Sequence, residues 1–182
     1  SGDVARYTFC NDKNIELPHQ SLWAGMRAIF YRGSVVLSFD GASRNNPNGP
    51  AGFGYSLVMA DTKKPLIHGH GYFEQGTSNQ MEYHGLWEGL CWVIHMNAKY
   101  LTIKGDSELV IKQCKGEWKC NNAKLREYLK KIQELLAKMR DGTTVVFEHV
   151  PREQNERADL LANLAIDSQS HATVCTWNNL NA

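Results

Sequence analysis

The sequence has 182 residues, of which 42% are hydrophobic and 21% charged, which is sufficient for one domain with a sizeable core. Its net charge of +1 does not indicate nucleic-acid binding over the whole surface. No apolar run reaches the roughly 18 residues of a membrane span, and no signal-peptide pattern opens the chain. The five cysteines lack a CxxC pair, which is typical of reduced thiols in an intracellular protein and excludes a simple disulfide framework.

Apolar patterns predict an alternation of strands and helices. Three strands near 35–40, 52–60 and 66–74 are close enough in sequence to pair as an antiparallel meander. The other predicted elements are helices at 80–97, 107–114, 122–139 and 155–168, a strand that ends at Asp106, and a strand at 143–150. The order β-β-β-α-β-α-α-β-α indicates an α/β domain in which helices pack on a mixed sheet.

The chain termini do not share this pattern. Residues 1–33 have no clear period and are predicted to be an N-terminal extension. It opens on Ser1-Gly2, which resembles the scar of a cleaved tag, so we expect the chain to be a fragment of a longer one. Residues 169–182 are polar and are predicted to be a loosely held C-terminal tail.

Four carboxylates are predicted to meet at one edge of the sheet. Asp40 ends the first strand and Asp106 ends the fourth, and two parallel neighbours would bring both to the edge where α/β sheets form their sites. Glu82 lies in the first turn of the helix after the meander, and Asp159 lies in the opening turns of the last helix.

Each of these acids also has a purely structural interpretation. Asp40 precedes a glycine, and Asp-Gly is a strong turn signal. Asn79 to Glu82 fits a capping box, Asp106 fits an N-cap, and Asp159 fits an acid placed favourably in the helix dipole. For each acid taken singly, the structural interpretation is favoured over a catalytic one.

Four segments of the chain resemble, in order, the motif blocks of type 1 ribonuclease H: FDGASRNNPNGPAGFGY, TSNQMEY, IKGDSELV and REQNERADLLANLA. The resemblance covers about residues 34–168 and implies a ribonuclease H-like α/β fold, with a five-stranded mixed sheet and helices on both faces. It places the family's catalytic and metal-binding acids on Asp40, Glu82, Asp106 and Asp159.

The resemblance implies an activity that suits these residue types. The family hydrolyses the RNA strand of RNA–DNA hybrids and leaves 5′-phosphate and 3′-hydroxyl ends. It uses two Mg²⁺ ions, for which Mn²⁺ can substitute. Clustered carboxylates repel one another unless cations neutralise them, and hard oxygen ligands are those that Mg²⁺ prefers.

Substrate contacts are also implied by the resemblance. Asn46 and Asn79 align with family asparagines that contact the hybrid, Thr77 with a threonine that contacts a DNA phosphate, and Trp118 with an aromatic residue along the DNA strand. The full set of predicted contacts is Gly41, Ala42, Ser43, Asn46, Thr77, Asn79, Lys115, Trp118, Lys119, Asn121 and Asn122.

The segment 112–140, called here the basic segment, carries nine Lys or Arg residues against three Glu. It is predicted either to face the phosphates of the hybrid or to be a solvated helical face.

One motif departs from the most familiar family pattern. Many members carry a mobile histidine in a glycine-rich loop before the last acid, whereas this chain has the short segment HVPREQNERAD. We predict that His149 is a strand residue and that Arg152 and Glu153 occupy the place of that histidine. The family's archaeal and plant-like branch has the same short version.

Other functions compatible with the sequence are an inactive docking module with this fold and the ribonuclease H domain of a reverse-transcribing polyprotein. A DNA-cutting, integrase-like nuclease shares the fold, but the Asp-Gly and SNQMEY blocks favour hybrid cleavage. The expected partner is an RNA–DNA hybrid, with no membrane contact and with the fragment a monomer.

Overall fold

The structure, a computed structural model, describes residues 5–7, 33–94, 96, 98–139 and 142–175. The strands are β1 (Ala5–Tyr7), β2 (Ser34–Ser43), β3 (Ala51–Met59), β4 (Pro65–Phe73), β5 (Tyr100–Gly105), β6 (Thr144–His149) and β7 (Ala172–Cys175). The helices are α1 (Ser78–Val93), α2 (Glu108–Cys114), α3 (Ala123–Ala137) and α4 (Glu156–Ser168), with a 3₁₀ turn at Arg152–Gln154. None of the helices in these ranges is long and apolar enough to cross a membrane.

The strands form a seven-stranded mixed sheet in the order β1-β7-β4-β3-β2-β5-β6. β2, β3 and β4 pair antiparallel as the predicted meander. β5 pairs parallel with both β2 and β6, so the strands that precede Asp40 and Asp106 are parallel neighbours as predicted. The predicted ribonuclease H-like arrangement of five strands is therefore confirmed as the central part of this sheet.

Two short strands extend the sheet beyond the predicted five. β7 pairs with the free edge of β4, and β1 pairs with β7, both antiparallel. β7 lies in the segment predicted to be a loosely held tail, so that prediction was wrong for residues 172–175. Within the predicted extension and tail, residues 1–4, 8–32 and 176–182 lie outside the described residues.

Helices cover both faces of the sheet, as predicted. Leu37, Phe39 and Ile103 point from one face into the main core that α1 completes. On the other face α4 approaches the sheet backbone very closely, because a Cβ at Gly54 would lie 2.6 Å from the carbonyl oxygen of Ala158. The sheet is thereby packed between two helices, which fixes the positions of the residues at its carboxyl edge.

Candidate active site

Neighbouring parallel strands deliver the first two acids. Phe39 of β2 pairs with Gly105 of β5, so Asp40 and Asp106 occupy the next position on each chain. Asp40 is buried, with only 4% of its surface exposed, and its Oδ1 accepts a hydrogen bond from the Gly41 amide at 2.9 Å. The parallel pairing predicted from the sequence therefore brings the two carboxylates to one edge of the sheet.

Glu82 reaches the same edge because α1 begins against β2. A Cβ at Gly41 would lie 2.2 Å from the Glu82 amide nitrogen, so only a glycine permits this approach. Thr77 caps the helix, in a capping box with Gln80. The alternative interpretation of Asn79 and Glu82 as the capping box was therefore wrong, and the Glu82 carboxylate is not used as a cap.

Asp106 is likewise free of a capping role. The N-cap of α2 is Ser107, whose hydroxyl accepts a hydrogen bond from the Val110 amide at 3.3 Å. The alternative interpretation of Asp106 as an N-cap was therefore wrong. Asp159 does lie in the first turn of α4, as the dipole interpretation requires, but this position does not exclude a functional role.

The four acids converge on one cavity. One carboxylate oxygen from each of Asp40, Glu82 and Asp106 lies within 4.8 Å of the others. Asp159 is not part of this compact trio but lines the same cavity of about 300 Å³. The complete lining is Asp40, Gly41, Ala42, Ser43, Ser78, Glu82, Asp106, Arg152, Asp159 and Asn163.

Burial and the charges of neighbouring acids make the ionised states of Asp40 and Glu82 costly. Burial, followed by the charge of Asp106, raises the pKa of Asp40 to about 7. Burial, followed by the charges of Asp40 and Asp106, raises the pKa of Glu82 well above its usual range. Both shifts have the direction expected when like charges are held together without a neutralising cation.

The donor set fits a divalent metal ion. All candidate ligands are carboxylate oxygens, which hard cations such as Mg²⁺ and Mn²⁺ prefer. The buried Oε2 of Glu82 also has no hydrogen-bond partner among the described residues, and buried polar atoms rarely remain unpaired unless a ligand or water contacts them. The acidic cluster can therefore hold a divalent cation.

Three further polar residues contact the acids. Only Arg152 was predicted from the sequence to lie near the site. The buried side chain of Asn155 donates to the Phe39 carbonyl at 2.9 Å and to Asp106 Oδ1 at 3.2 Å. Asn163 donates to Asp159 Oδ1 at 3.3 Å. The guanidinium of Arg152 lies 3.5 Å from Asp159 Oδ1. The helical spacing of Asn163 from Asp159, four residues, is the signal that could have identified it.

His149 is the last residue of β6, so its prediction as a strand residue is confirmed. Its Nε2 lies 3.2 Å from the main-chain carbonyl oxygen of Asp106. This contact supports the strand end from which the Asp106 side chain projects.

The predicted hybrid-contacting turn docks against the start of α1. The side-chain oxygen of Asn46 accepts a hydrogen bond from the Ser78 amide at 3.3 Å, and Ser43 Oγ donates to the Gly76 carbonyl at 2.7 Å. Asn79 is exposed in the first turn of α1. Gly41, Ala42 and Ser43 line the acidic cavity itself, so of the predicted contact residues these lie nearest to the acids.

The predicted contacts of the basic segment lie between α2 and α3 and are exposed. Trp118 is 44% exposed, and the Lys112 ammonium lies 5.1 Å from the centre of its ring. Lys115 forms an ion pair with Glu117 at 3.4 Å. Lys119 is exposed as well, whereas Arg140, at the end of this segment, lies outside the described residues.

Asn121 and Asn122 are already engaged in local structure. Asn122 is the N-cap of α3 and accepts from the Lys124 and Leu125 amides at 3.0 and 3.1 Å. The main-chain carbonyl oxygen of Asn121 accepts from the Arg126 guanidinium at 3.3 Å. Any contact of Asn122 with a phosphate would therefore use its amide NH₂ group.

Comparisons with known proteins identify the family to which most of the chain is similar. A family profile described as reverse transcriptase-like matches residues 38–165. The ribonuclease HI of Halobacterium salinarum is 41% identical over 74% of this chain and 65% of its own length. The bifunctional protein Rv2228c of Mycobacterium tuberculosis is 36% identical over 76% of this chain but only 37% of its own length.

A solved structure is also similar over most of its length. The crystal structure of LC11-RNase H1 in complex with an RNA/DNA hybrid matches with a TM-score of 0.67 and 31% identity, covering 74% of this chain and 98% of that one.

Proposed function

This chain belongs to the type 1 ribonuclease H family, and from that premise we propose that it is an endoribonuclease that hydrolyses the RNA strand of RNA–DNA hybrids. The observation that carries the proposal is the convergence of Asp40, Glu82 and Asp106 within 4.8 Å, with Asp159 on the wall of the same cavity. A protein that used this fold only for docking would have no need to bring four acids to one cavity.

The proposed cofactor is a pair of Mg²⁺ ions, for which Mn²⁺ could substitute. Asp40 would contact both ions, Glu82 and Asp106 would hold the one on the nucleophile side, and Asp159 would hold the other. When bound, such ions activate a water and stabilise the leaving 3′-oxygen during in-line displacement at phosphorus. The products would carry 5′-phosphate and 3′-hydroxyl ends.

The residues of the chain itself would orient the substrate. RNA differs from DNA by its 2′-hydroxyl groups, which are accessible in the wide, shallow minor groove. The backbone and hydroxyl groups of Gly41, Ala42 and Ser43 lie beside Asp40 and are small enough to approach that groove. Asn46 and Asn79, on the adjoining turn and the first turn of α1, would also contact the hybrid.

The DNA strand would be held by a second group of residues. Thr77 would contact one DNA phosphate, with Asn121 or Asn122 beside it, and Trp118 would lie along the DNA strand. Lys115 and Lys119 are exposed on the same loop as Trp118, where their charges would attract further phosphates.

The short loop before Asp159 suggests membership of the archaeal and plant-like branch, which lacks the mobile histidine. Arg152 and Glu153 would then occupy the place of that histidine, and the Arg152 guanidinium lies at the cavity, 3.5 Å from Asp159. If the chain is part of a reverse-transcribing polyprotein, the reaction would be the same, because the same four acids would carry it.

A cleavage assay tests this proposal. We expect an RNA–DNA hybrid to be cut in its RNA strand when Mg²⁺ is present. Double-stranded RNA and double-stranded DNA of the same sequence should remain intact, as should the hybrid with EDTA. Equal cleavage of the hybrid and double-stranded RNA, or no metal-dependent cleavage at all, would contradict the proposal.

A further inference from the structure

We propose that Asn163 and Arg44 are positioning residues that hold Asp159 in its metal-binding orientation and couple that orientation to the hybrid-contacting turn. The inference rests on the proposed function. It assigns a role to two residues that contact neither the compact acidic trio nor, in the proposed function, the cleaved bond. Asp159 requires such support because, unlike Asp40, it is not held at the end of a buried strand.

Asn163 holds the Asp159 carboxylate from one helical turn further along α4. Its side-chain nitrogen donates to Asp159 Oδ1 at 3.3 Å and to the Asp159 main-chain carbonyl at 3.0 Å. Asn163 also lines the acidic cavity. A hydrogen-bond donor on a ligating carboxylate restricts its rotation and so fixes the direction in which its oxygens face a metal.

Arg44 holds Asn163 in turn. Its Nη2 donates to the Asn163 side-chain oxygen at 3.5 Å, and its Nη1 pairs with Asp167 at 2.5 Å. With its oxygen on Arg44, the Asn163 amide must present its nitrogen to Asp159, so the guanidinium selects the productive orientation of that amide. Arg44 and Asp167 are exposed, and such a pair contributes little to stability, which favours an orienting role over a stabilising one.

Arg44 belongs to the turn that is predicted to contact the hybrid. The Arg44 amide donates to the Pro50 carbonyl at 2.8 Å, which closes the turn. On its other side the turn contacts the start of α1 through Asn46 and Ser43. One short turn therefore connects α1, which carries Glu82, with α4, which carries Asp159. A hybrid that orders this turn would also order Asp159.

The test compares Asn163→Leu with Leu160→Ala, a control on the same helix at a side chain that is 69% exposed. We expect Asn163→Leu to raise the Mg²⁺ concentration for half-maximal cleavage by about tenfold, the lower end of the effect of removing a residue that orients a metal ligand. Hybrid affinity measured in EDTA should not change. Leu160→Ala should leave both quantities at the wild-type value.

A readout independent of activity is the rise in melting temperature of the hybrid-free chain on adding Mn²⁺, since a ligand that binds the folded state stabilises it. The Asn163→Leu variant should need about tenfold more Mn²⁺ for the same rise. Asp159→Asn, which removes the acid itself, sets the largest effect to be expected. A metal dependence for Asn163→Leu equal to that of Leu160→Ala would overturn the inference.

Arg44→Gln provides a second variant on the surface, where folding is not at risk. We expect it to shift the Mn²⁺ requirement in the same direction but by less than Asn163→Leu. In the Asn163→Leu background it should have no further effect, because residues that act in series are not additive. Full additivity would overturn the proposed order Arg44 to Asn163 to Asp159.

The two proposals fail in different ways. A wild-type chain that does not cleave the hybrid, but whose Mn²⁺-dependent stabilisation weakens in Asn163→Leu, would refute the proposed function and support this inference. A wild-type chain that cleaves normally, with an unchanged metal requirement in both variants, would refute the inference alone.

Discussion

The acidic cavity and the basic segment are both charged, but they are built in opposite ways. The four acids come from β2, α1, the end of β5 and α4, and three of them lie within 4.8 Å of one another. The basic residues come from one continuous stretch, and those on the loop between α2 and α3 are exposed. Packing of distant elements brings the acids together despite their mutual repulsion. The basic residues lie near one another because they are close in sequence.

This difference indicates different roles for the two regions. Ionisable side chains with strongly shifted pKa values cluster at functional sites, where a fold keeps them together although this lowers its stability. Exposed charges on flexible stems attract polyanions over some distance but do not fix one reactive atom. We therefore expect changes in the cavity to abolish catalysis with little loss of stability, and changes in the basic segment to weaken binding with little loss of catalysis.

The largest effect is expected for Asp106→Asn. The variant removes a charge that the metal requires but keeps the shape and the oxygen to which Asn155 donates, so folding and hybrid binding should persist. Cleavage should fall below a few per cent of wild type in a steady-state assay with Mg²⁺. Glu108→Gln is the matched control, since it removes an equal charge two residues away that pairs with Lys112 at the surface. Substantial activity in Asp106→Asn would show that Asp106 is not a metal ligand.

The second effect concerns the basic segment. Replacing Lys115 and Lys119 by glutamine should weaken hybrid binding about equally for all sequences, because phosphate contacts carry no sequence information. The slope of log K against log salt should flatten by about two units, near 0.9 for each lysine. The cleavage rate at saturating hybrid should not change.

Lys63 and Lys64 provide the control for this pair. They lie between β3 and β4, and both are exposed. Replacing them removes the same charge from the end of the strands that lies opposite to Asp40. If the slope of log K against log salt is unchanged in the Lys115/Lys119 variant, or changes equally in the Lys63/Lys64 variant, the basic segment would be only a solvated helical face.

The third effect is on stability. It tests whether the ionised carboxylate of Asp40 destabilises the metal-free fold. The pKa of Asp40 is about 7 in the folded chain against 3.8 ordinarily, so the folded state binds a proton more tightly than the unfolded state does. Stability of the metal-free chain should therefore decrease as pH rises from about 4 to about 7, where Asp40 becomes ionised in both states.

Asp40→Asn should reduce this pH dependence without abolishing it, because burial also raises the pKa of Glu82 and so makes a contribution of the same sign. At pH 8 the variant should be more stable than wild type by at least about 1 kcal/mol, since one pKa unit corresponds to about 1.4 kcal/mol. Denaturant unfolding in EDTA measures the difference, and the exposed Asp61→Asn provides the control. A variant that is less stable than wild type at pH 8 would mean that the charge of Asp40 stabilises the apo fold.

The smallest effect is expected for His149→Ala. Because His149 contacts only the main-chain oxygen of Asp106 in the site, its loss should cost some stability and leave turnover within about a few-fold of wild type. A decrease of about a hundredfold or more, the range of a lost general acid or base, would assign His149 to the chemistry.

The sequence predicted the features that depend on local patterns. Alternating apolar residues and turn signals located β2, β3 and β4, and the strand ends located Asp40 and Asp106. β1 and β7 were missed because strands of three and four residues have too little pattern to be recognised. Their pairing is determined by the free edge of β4, which is known only from the assembled sheet.

The support of the acids could not be predicted for a similar reason. Asn155 is an ordinary residue before a helix until β2 and β5 bring the Phe39 carbonyl and Asp106 within its reach. Arg44 and Asp167 are 123 residues apart, and nothing local relates them. Residue identity predicted which groups could bind a metal, but only the packing of helices on the sheet shows what holds them in position.

The account depends most directly on where a divalent cation binds. Anomalous diffraction from crystals of this chain grown with Mn²⁺ would locate it. We predict one peak within coordination distance of the carboxylates of Asp40, Glu82 and Asp106, and a second one between Asp40 and Asp159. A chain that cleaves the hybrid but shows Mn²⁺ elsewhere, or no Mn²⁺ at these four acids, would contradict the account.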